Sequence, residues 1–443
     1  MKIQLSEHFT YKKLLRFTLP AIIMMIFTSI YSVVDGVFVS NFVGKTPFAA
    51  INLIYPVMMI LGAVGLMFGA GGSALVAKTI GEGEREKANR IFSLIVYVAI
   101  GCGVVFSVLG WFLIPSVSSA LGAEGEMLEC CVLYARILFI TFTAFMLQMA
   151  FQVLLVTAEK PQLGLFFTVV AGVSNIVLDY VFIVVFHWGL AGAAIATAVG
   201  QIFGGIGPLI YFACKNSSLL RLTKTKFDGG ALARTCFNGS SEMMSNLASS
   251  IVNMLYNYQL MRFIGEDGVA AYGVIMYMNF IFTGIFFGFS MGSSPIVSYH
   301  YGAKNEDELK SLFRKSLTLV GIAGICLITL ALVFARPLAS IFVGYDADLL
   351  DLTSHGFRLY SLAFLFIGFN IYGSAFFTAL NNGLISAIIA FSRMLVFETL
   401  SVLILPMILG INGIWFAVVI ADILALVVTT TFLVKFRHRY HYI

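Results

Sequence analysis

Residues 41–81 read NFVGKTPFAAINLIYPVMMILGAVGLMFGAGGSALVAKTIG, and residues 262–302 read RFIGEDGVAAYGVIMYMNFIFTGIFFGFSMGSSPIVSYHYG. A constant shift of 221 positions, from 41 to 262, holds the two in register. Gly44, Ala49 and Ala50 recur as Gly265, Ala270 and Ala271; Gly71, Ser73 and Gly81 recur as Gly292, Ser294 and Gly302. Gly189 and Gly192 recur as Gly410 and Gly413 under the same shift. One offset kept from position 44 to position 192 marks a duplicated unit.

Composition gives the duplicated unit its setting. Hydrophobic residues make up 60% of the 443 and charged residues 11%, with a mean hydropathy of +0.96. Soluble domains carry about a quarter charged residues, so this chain belongs in a bilayer. A sequence pI of about 8.8 would fit a polyanion partner, but the basic residues lie in loops, where topology accounts for them, and no nucleic-acid role follows. The six cysteines (Cys102, Cys130, Cys131, Cys214, Cys236, Cys326) form no CxxC pair and read as buried thiols. The first apolar run follows Lys12, Lys13 and Arg16 and continues too far for a signal peptide, so a retained first span is expected.

Windows of about 20 apolar residues give twelve candidate spans. In the first half they fall near 14–40, 51–77, 91–114, 130–157, 162–186 and 190–213. In the second half they fall near 236–262, 270–298, 313–335, 354–380, 384–408 and 412–435. The expected fold class is therefore an all-α polytopic membrane protein with two pseudo-symmetric six-helix bundles. Its lobes are 1–213 and 236–443, and a basic cytoplasmic linker, 214–235, joins them. Placing both termini inside puts Lys78, Arg85, Lys87 and Arg90 in one inner loop, with Lys304, Lys310, Arg314 and Lys315 in its repeat. The outer loops hold little beyond Lys45, Arg262 and Arg336, and one carries Glu124, Glu126 and Glu129. This is a positive-inside pattern. Six spans per half make the repeats parallel, about an axis along the membrane normal, as in two-bundle transporters. No GxxxxGK[ST] phosphate loop is present, and the glycines from Gly62 to Gly72 lie inside a span, where they read as close helix packing.

Five acids fall inside these spans: Asp35, Asp179, Glu242, Glu398 and Asp422. Facing lipid, each would cost several kcal/mol, so each is expected to face a cavity or a partner. At about 1.5 Å per residue, Asp35 and Asp179 share a depth in the outer half of spans that start inside. Tyr134 and Thr197 enter from the opposite side to a similar depth, and Asn175 shares the Asp179 face of its helix. This first-lobe cluster could coordinate a hard cation such as Na⁺ at Asp35, Asn175, Asp179 and Thr197, or carry a proton on one carboxyl. The plain alternative is that Asn175 and Thr197 tie helices together. In the second lobe Arg393, Glu398 and Asp422 read equally well as a structural triad or a substrate site. Glu242, a few residues into its apolar window, reads as a capping or snorkelling acid. Arg136 and Arg358 lie near the outer mouth, and Glu159–Lys160–Pro161 reads as a tight inner turn. Met146, Met149, Met254, Met276 and Met278 could line a pliable cavity. The six histidines have no ligand spacing, and no cofactor or resident metal is expected.

The segments TLPAIIMMIFTSIYSVVDGVFVSNFVG, GAGGSALVAKTIGEGEREKANRIFS and SNIVLDYVFI resemble the multidrug and toxic compound extrusion (MATE) family, over essentially the whole chain. The resemblance implies a cation-coupled antiporter that exports drugs by alternating access. It also implies a first-lobe cation site at Asp35, Asn175, Asp179 and Thr197 with Tyr134 nearby, and a bend in the first span at Pro20. A second family pattern places acids at positions that here hold Ser249 and Asn370, which makes a second-lobe cation site of that kind unexpected. The expected function is export of amphipathic, cationic organic compounds in exchange for Na⁺ or H⁺, by a monomer in the inner membrane. A lipid-linked oligosaccharide flippase of the same superfamily is the alternative. A polytopic enzyme lacks a catalytic constellation in the loops, and a channel would not need two mobile lobes.

Overall fold

The computed structural model describes residues 3–443, the side chains of Val37 and Lys45 excepted; the outer-loop base Lys45 therefore falls outside the described side chains. The described residues are helical throughout, without strands. In the first half the helices are α1 (Tyr11–Phe42), α2 (Lys45–Gly81), α3 (Arg85–Ala120), α4 (Gly125–Ile140), α5 (Phe142–Thr157), α6 (Pro161–Asp179) and α7 (Gly189–Ala213). In the second they are α8 (Gly229–Phe263), α9 (Glu266–Gly302), α10 (Glu306–Val343), α11 (Ala347–Ser361), α12 (Phe364–Ala379), α13 (Gly383–Phe391), α14 (Thr399–Leu409) and α15 (Ile411–Tyr440). Wider π-helical turns, Tyr180–Val185 and Ser392–Glu398, extend α6 and join α13 to α14.

Nine of these segments are long and apolar enough to cross a membrane alone, and α4–α5 and α11–α12 each form one bent crossing, at 63° and 49°. Helix α8 is as long but more polar, and completes twelve. The bends are repeat mates. Thr141 N bonds Leu138 O at 3.1 Å and Ala363 N bonds Tyr360 O at 3.0 Å, so bonds three residues back replace the four-residue ladder and tilt the axis. Turn conformations repeat as well: Gly44 and Gly265 have φ of 129° and 89°, and Gly189 and Gly410 have 56° and 60°. Only a residue without a Cβ takes those angles freely.

Polar ends are capped locally. Thr10, Asp228, Asn305, Asp346 and Asn382 each accept a backbone N–H from the first turn of the helix they precede. The Asp228 cap starts α8 at Gly229, seven residues before the apolar window opens. Glu242 consequently lies more than three turns inside α8. It is half-buried, with no ion-pair partner among the described residues. The capping or snorkelling role expected for it is therefore corrected. The connector 214–228 is ordered against α3, with Arg221 N on Asn89 Oδ1 at 2.9 Å and Thr223 N on Ser93 Oγ at 2.8 Å. The cysteines also depart from expectation: only Cys131 is buried, Cys214 and Cys326 are exposed, and all six are free. A thiol is apolar enough to face lipid at little cost.

The core of the second half also takes in Leu14, Phe17 and Ala21 of α1, and the halves meet through α1 against α9, α2 against α8, and α2 against α9. Under the 221 shift α1 maps to α8 and α2 to α9, so this interface has a pseudo-twofold axis. Glycine makes it close. A Cβ on Gly71 would overlap the Thr235 carbonyl and approach Gly239, and one on Gly292 would lie 3.0 Å from Thr18. Gly284 and Gly288 press against Met25 and Ile22. Farther along α1, Ser29 Oγ donates to Phe280 O at 3.2 Å, the last hydrogen bond between the lobes among the described residues.

On that face the N-terminal segment spans both lobes. Leu5 N donates to Glu159 Oε1 of the first lobe at 2.8 Å, and Phe9 N donates to Glu308 Oε1 of the second at 2.8 Å. His8 Nδ1 meets Glu308 Oε2 at 2.5 Å, and Lys315 Nζ donates to Phe9 O at 2.5 Å. Leu5 and Phe9 are fully buried. Tyr442 packs a tilted ring against Phe313, with centroids 5.0 Å apart.

Candidate functional site in the first lobe

Asp35 projects from α1 about 9 Å beyond the last cross-lobe bond at Ser29, at 1.5 Å per residue. Asp179 ends α6 where the ladder widens into the π-helical turn, a geometry common at functional sites. Asn175 is one turn earlier on the same face, and Thr197 comes from α7 and Tyr134 from α4. All five sequence-derived residues converge. Asp35 is within hydrogen-bonding reach of Asp179 and Asn175, and Tyr134 of Thr197. Asn175 Nδ2 donates to Thr197 Oγ1 at 3.4 Å, and Thr197 Oγ1 donates to Ala193 O at 3.1 Å. Tyr31 and Tyr55 also lie near Asp35, and hydropathy and depth had singled out neither. Pro20 sits within an unbroken α1, where its ring leaves Arg16 O without a ladder donor.

The cluster is short of donors. Asp35 Oδ1, both carboxyl oxygens of Asp179 and Asn175 Oδ1 are buried with no hydrogen-bond donor, and Asp179 is 0% exposed. Two facing carboxylates are acceptors only; they close a bond only when one holds a proton or when a cation lies between them. A buried pair of like charges is costly otherwise. The oxygen set is hard and of mixed carboxylate, amide and hydroxyl character, which fits Na⁺ as well as H⁺.

The second lobe is arranged differently. Arg393 Nε donates to Asp422 Oδ1 at 2.6 Å, and Asn370 Nδ2 donates to both Oδ1 and the main-chain O of Asp422 at 2.9 Å. Thr429 Oγ1, not expected from sequence, donates to Asn370 Oδ1 at 2.9 Å. Glu398 adjoins this group but forms no ion pair among the described residues. Arg136 lies over the Trp111 ring and Arg358 is exposed. Met146 and Met278 are core residues, whereas Met254 is exposed. Ser249 donates only to the Met394 sulfur, at 3.7 Å.

A model of the MatE family matches residues 20–181 and again 243–404, one block in each half. The chain belongs to the MatE family. Among its relatives, Multidrug export protein MepA of Staphylococcus haemolyticus (strain JCSC1435) is 23% identical over 370 residues, covering 82% of this chain and 81% of the relative. The fold matches a solved structure described as the outward-facing conformation of a multidrug resistance MATE family transporter of the MOP superfamily. That match has a TM-score of 0.92 at 23% identity, over 98% of this chain and 97% of the other. A MOP superfamily transporter from Pyrococcus furiosus Vc1, described as having reverse polarity of its binding pocket, matches with a TM-score of 0.90 at 23% identity over the same shares. This MatE chain is thus a multi-pass membrane protein whose relatives are multidrug export proteins.

Proposed function

We propose that this MatE protein is a secondary active efflux antiporter of the cytoplasmic (inner) membrane. It exports amphipathic, cationic organic compounds in exchange for Na⁺ or H⁺, with both termini cytoplasmic. The carrying observation is the donor-poor pocket between Asp35 and Asp179, placed just past the inter-lobe seal. The positive-inside pattern supports placing the face that carries the termini in the cytoplasm, with the carboxyl pair toward the outer side of the last cross-lobe bond. An ion entering from outside neutralises the carboxyl pair and lowers the cost of closing the outer mouth around it. A cationic substrate arriving from inside competes for the same negative charge. The two ligands thereby favour opposite states of one equilibrium, which is the requirement for exchange.

A flippase reading would call for a strongly cationic interior. The interior bases here are Arg393, neutralised by Asp422, and Arg136, held on Trp111, which supports the antiporter. The test is efflux of a fluorescent organic cation from proteoliposomes under a Na⁺ gradient and a pH gradient applied separately. Either gradient driving efflux against concentration supports exchange; movement indifferent to both would overturn it.

A further inference from the structure

Tyr256 and Glu398 stand in the second lobe where Asp35 and Asp179 stand in the first. Position 35 shifted by 221 is 256, and position 179 shifted by 221 is 400, two residues from Glu398. The seven-residue π-helical turn ending at Glu398 re-registers that helix, so the acid rather than Leu400 faces inward: Glu398 is 7% exposed, Leu400 exposed. Tyr256 is 0% exposed, its hydroxyl has no hydrogen-bond partner, and it lies within reach of Glu398. Tyr272 stacks on Tyr256 with centroids 4.7 Å apart, and Tyr360 borders the same space.

Charge counting decides what this site can take. Arg393 is the one base of the group, and it is committed to Asp422, which Asn370 also engages. Two carboxyls share one guanidinium, so an ionised Glu398 would leave a net negative charge inside the bilayer, which is strongly disfavoured. A metal ion is disfavoured as the neutraliser, because Arg393 repels it and the free oxygens nearby are phenolic. A proton meets neither objection. We propose that Glu398 is a second ion-carrying residue, a proton site with Tyr256 as its hydrogen-bond partner, separate from the Asp35–Asp179 pocket. When Glu398 is protonated its O–H donates to Tyr256 Oη; when it gives the proton to water, the Tyr256 O–H turns to donate to the carboxylate. Arg393 and Asp422 keep their pair in both states.

The test uses the full-length protein in liposomes with Asp35→Asn and Asp179→Asn both present, which removes the first-lobe carboxyls from the signal. Infrared difference spectra across a pH titration should still contain the carbonyl band of one buried carboxylic acid. Glu398→Gln should abolish that band, and Tyr256→Phe should move its midpoint by about one pH unit, a tenfold change in proton affinity. Identical spectra with and without Glu398 would overturn the proposal. If Glu398→Gln fails to fold, an unmoved midpoint in Tyr256→Phe would overturn it equally. The first-lobe assignment is untouched by either result, because it is read from transport by the Asp35 and Asp179 variants.

Discussion

Gly81 and Gly302, equivalent under the 221-residue shift, each press against the residue equivalent to the other's neighbour. A Cβ on Gly81 would overlap Tyr299 O, and one on Gly302 would overlap Lys78 O, where Lys78 and Tyr299 are themselves repeat mates. The reciprocity places the pseudo-twofold axis through the inner seal. Gly81→Ala and Gly302→Ala should therefore act alike, each costing about 1–3 kcal/mol through overpacking against backbone. Thermal unfolding in detergent measures this; a large drop for one and none for the other would contradict a symmetric seal.

The Arg393–Asp422 pair calls for a different comparison. Arg393→Met strands a buried carboxylate and should cost about 3–5 kcal/mol. Arg393→Met combined with Asp422→Asn removes both charges and should recover much of the loss, because Asn370 still finds the main-chain O of residue 422. Denaturation midpoints of the single and double variants decide it, and a double variant no more stable than the single would argue against pairing.

At the N-terminal clamp, Glu308→Ala removes the acceptor of the buried Phe9 N–H and of His8. The expected cost is about 1–3 kcal/mol for the orphaned donor, seen as faster hydrogen exchange in residues 3–10 and on α9 near Gly302. Unchanged exchange there would show that the segment does not hold the lobes together.

The clamp also has a pH signature. Lys13 beside Glu7, with the Gln4 N–H, holds the Glu7 carboxyl below its ordinary value of 4.5. A lowered folded value contributes stability that is present above the unfolded value and is lost as pH falls through the folded one. Protection of the N-terminal segment should thus survive mild acid and fail only below the ordinary carboxylate range. Glu7→Gln should remove that step, as read by exchange at several pH values; a step near neutrality would contradict it.

Much of this was legible in the sequence for physical reasons. A bilayer demands long apolar helices, so twelve spans and the repeat could be read from hydropathy and glycine spacing. The Asp35, Asn175, Asp179, Thr197 and Tyr134 cluster emerged from depth, since rise per residue is fixed. The same reasoning misplaced Glu242, because an apolar window cannot see a helix that starts earlier on the polar Asp228 cap. It also passed over Thr429, and it reached Tyr256 only as the repeat mate of Asp35. A π-helical turn changes which side of a helix faces inward, and no periodicity records that shift in Glu398. The N-terminal clamp was hidden too, since it depends on main-chain N–H groups that every residue carries.

The central claim rests on the Asp35–Asp179 carboxyl pair, and ion-driven efflux measures it most directly. Wild-type protein and the single variants Asp35→Asn and Asp179→Asn are reconstituted in proteoliposomes, with folding checked by thermal unfolding. An outward-to-inward Na⁺ or H⁺ gradient is then imposed on a loaded organic cation. Coupled transport should be present in the wild type and lost in both folded variants. Wild-type rates of gradient-driven transport in both variants would contradict the account.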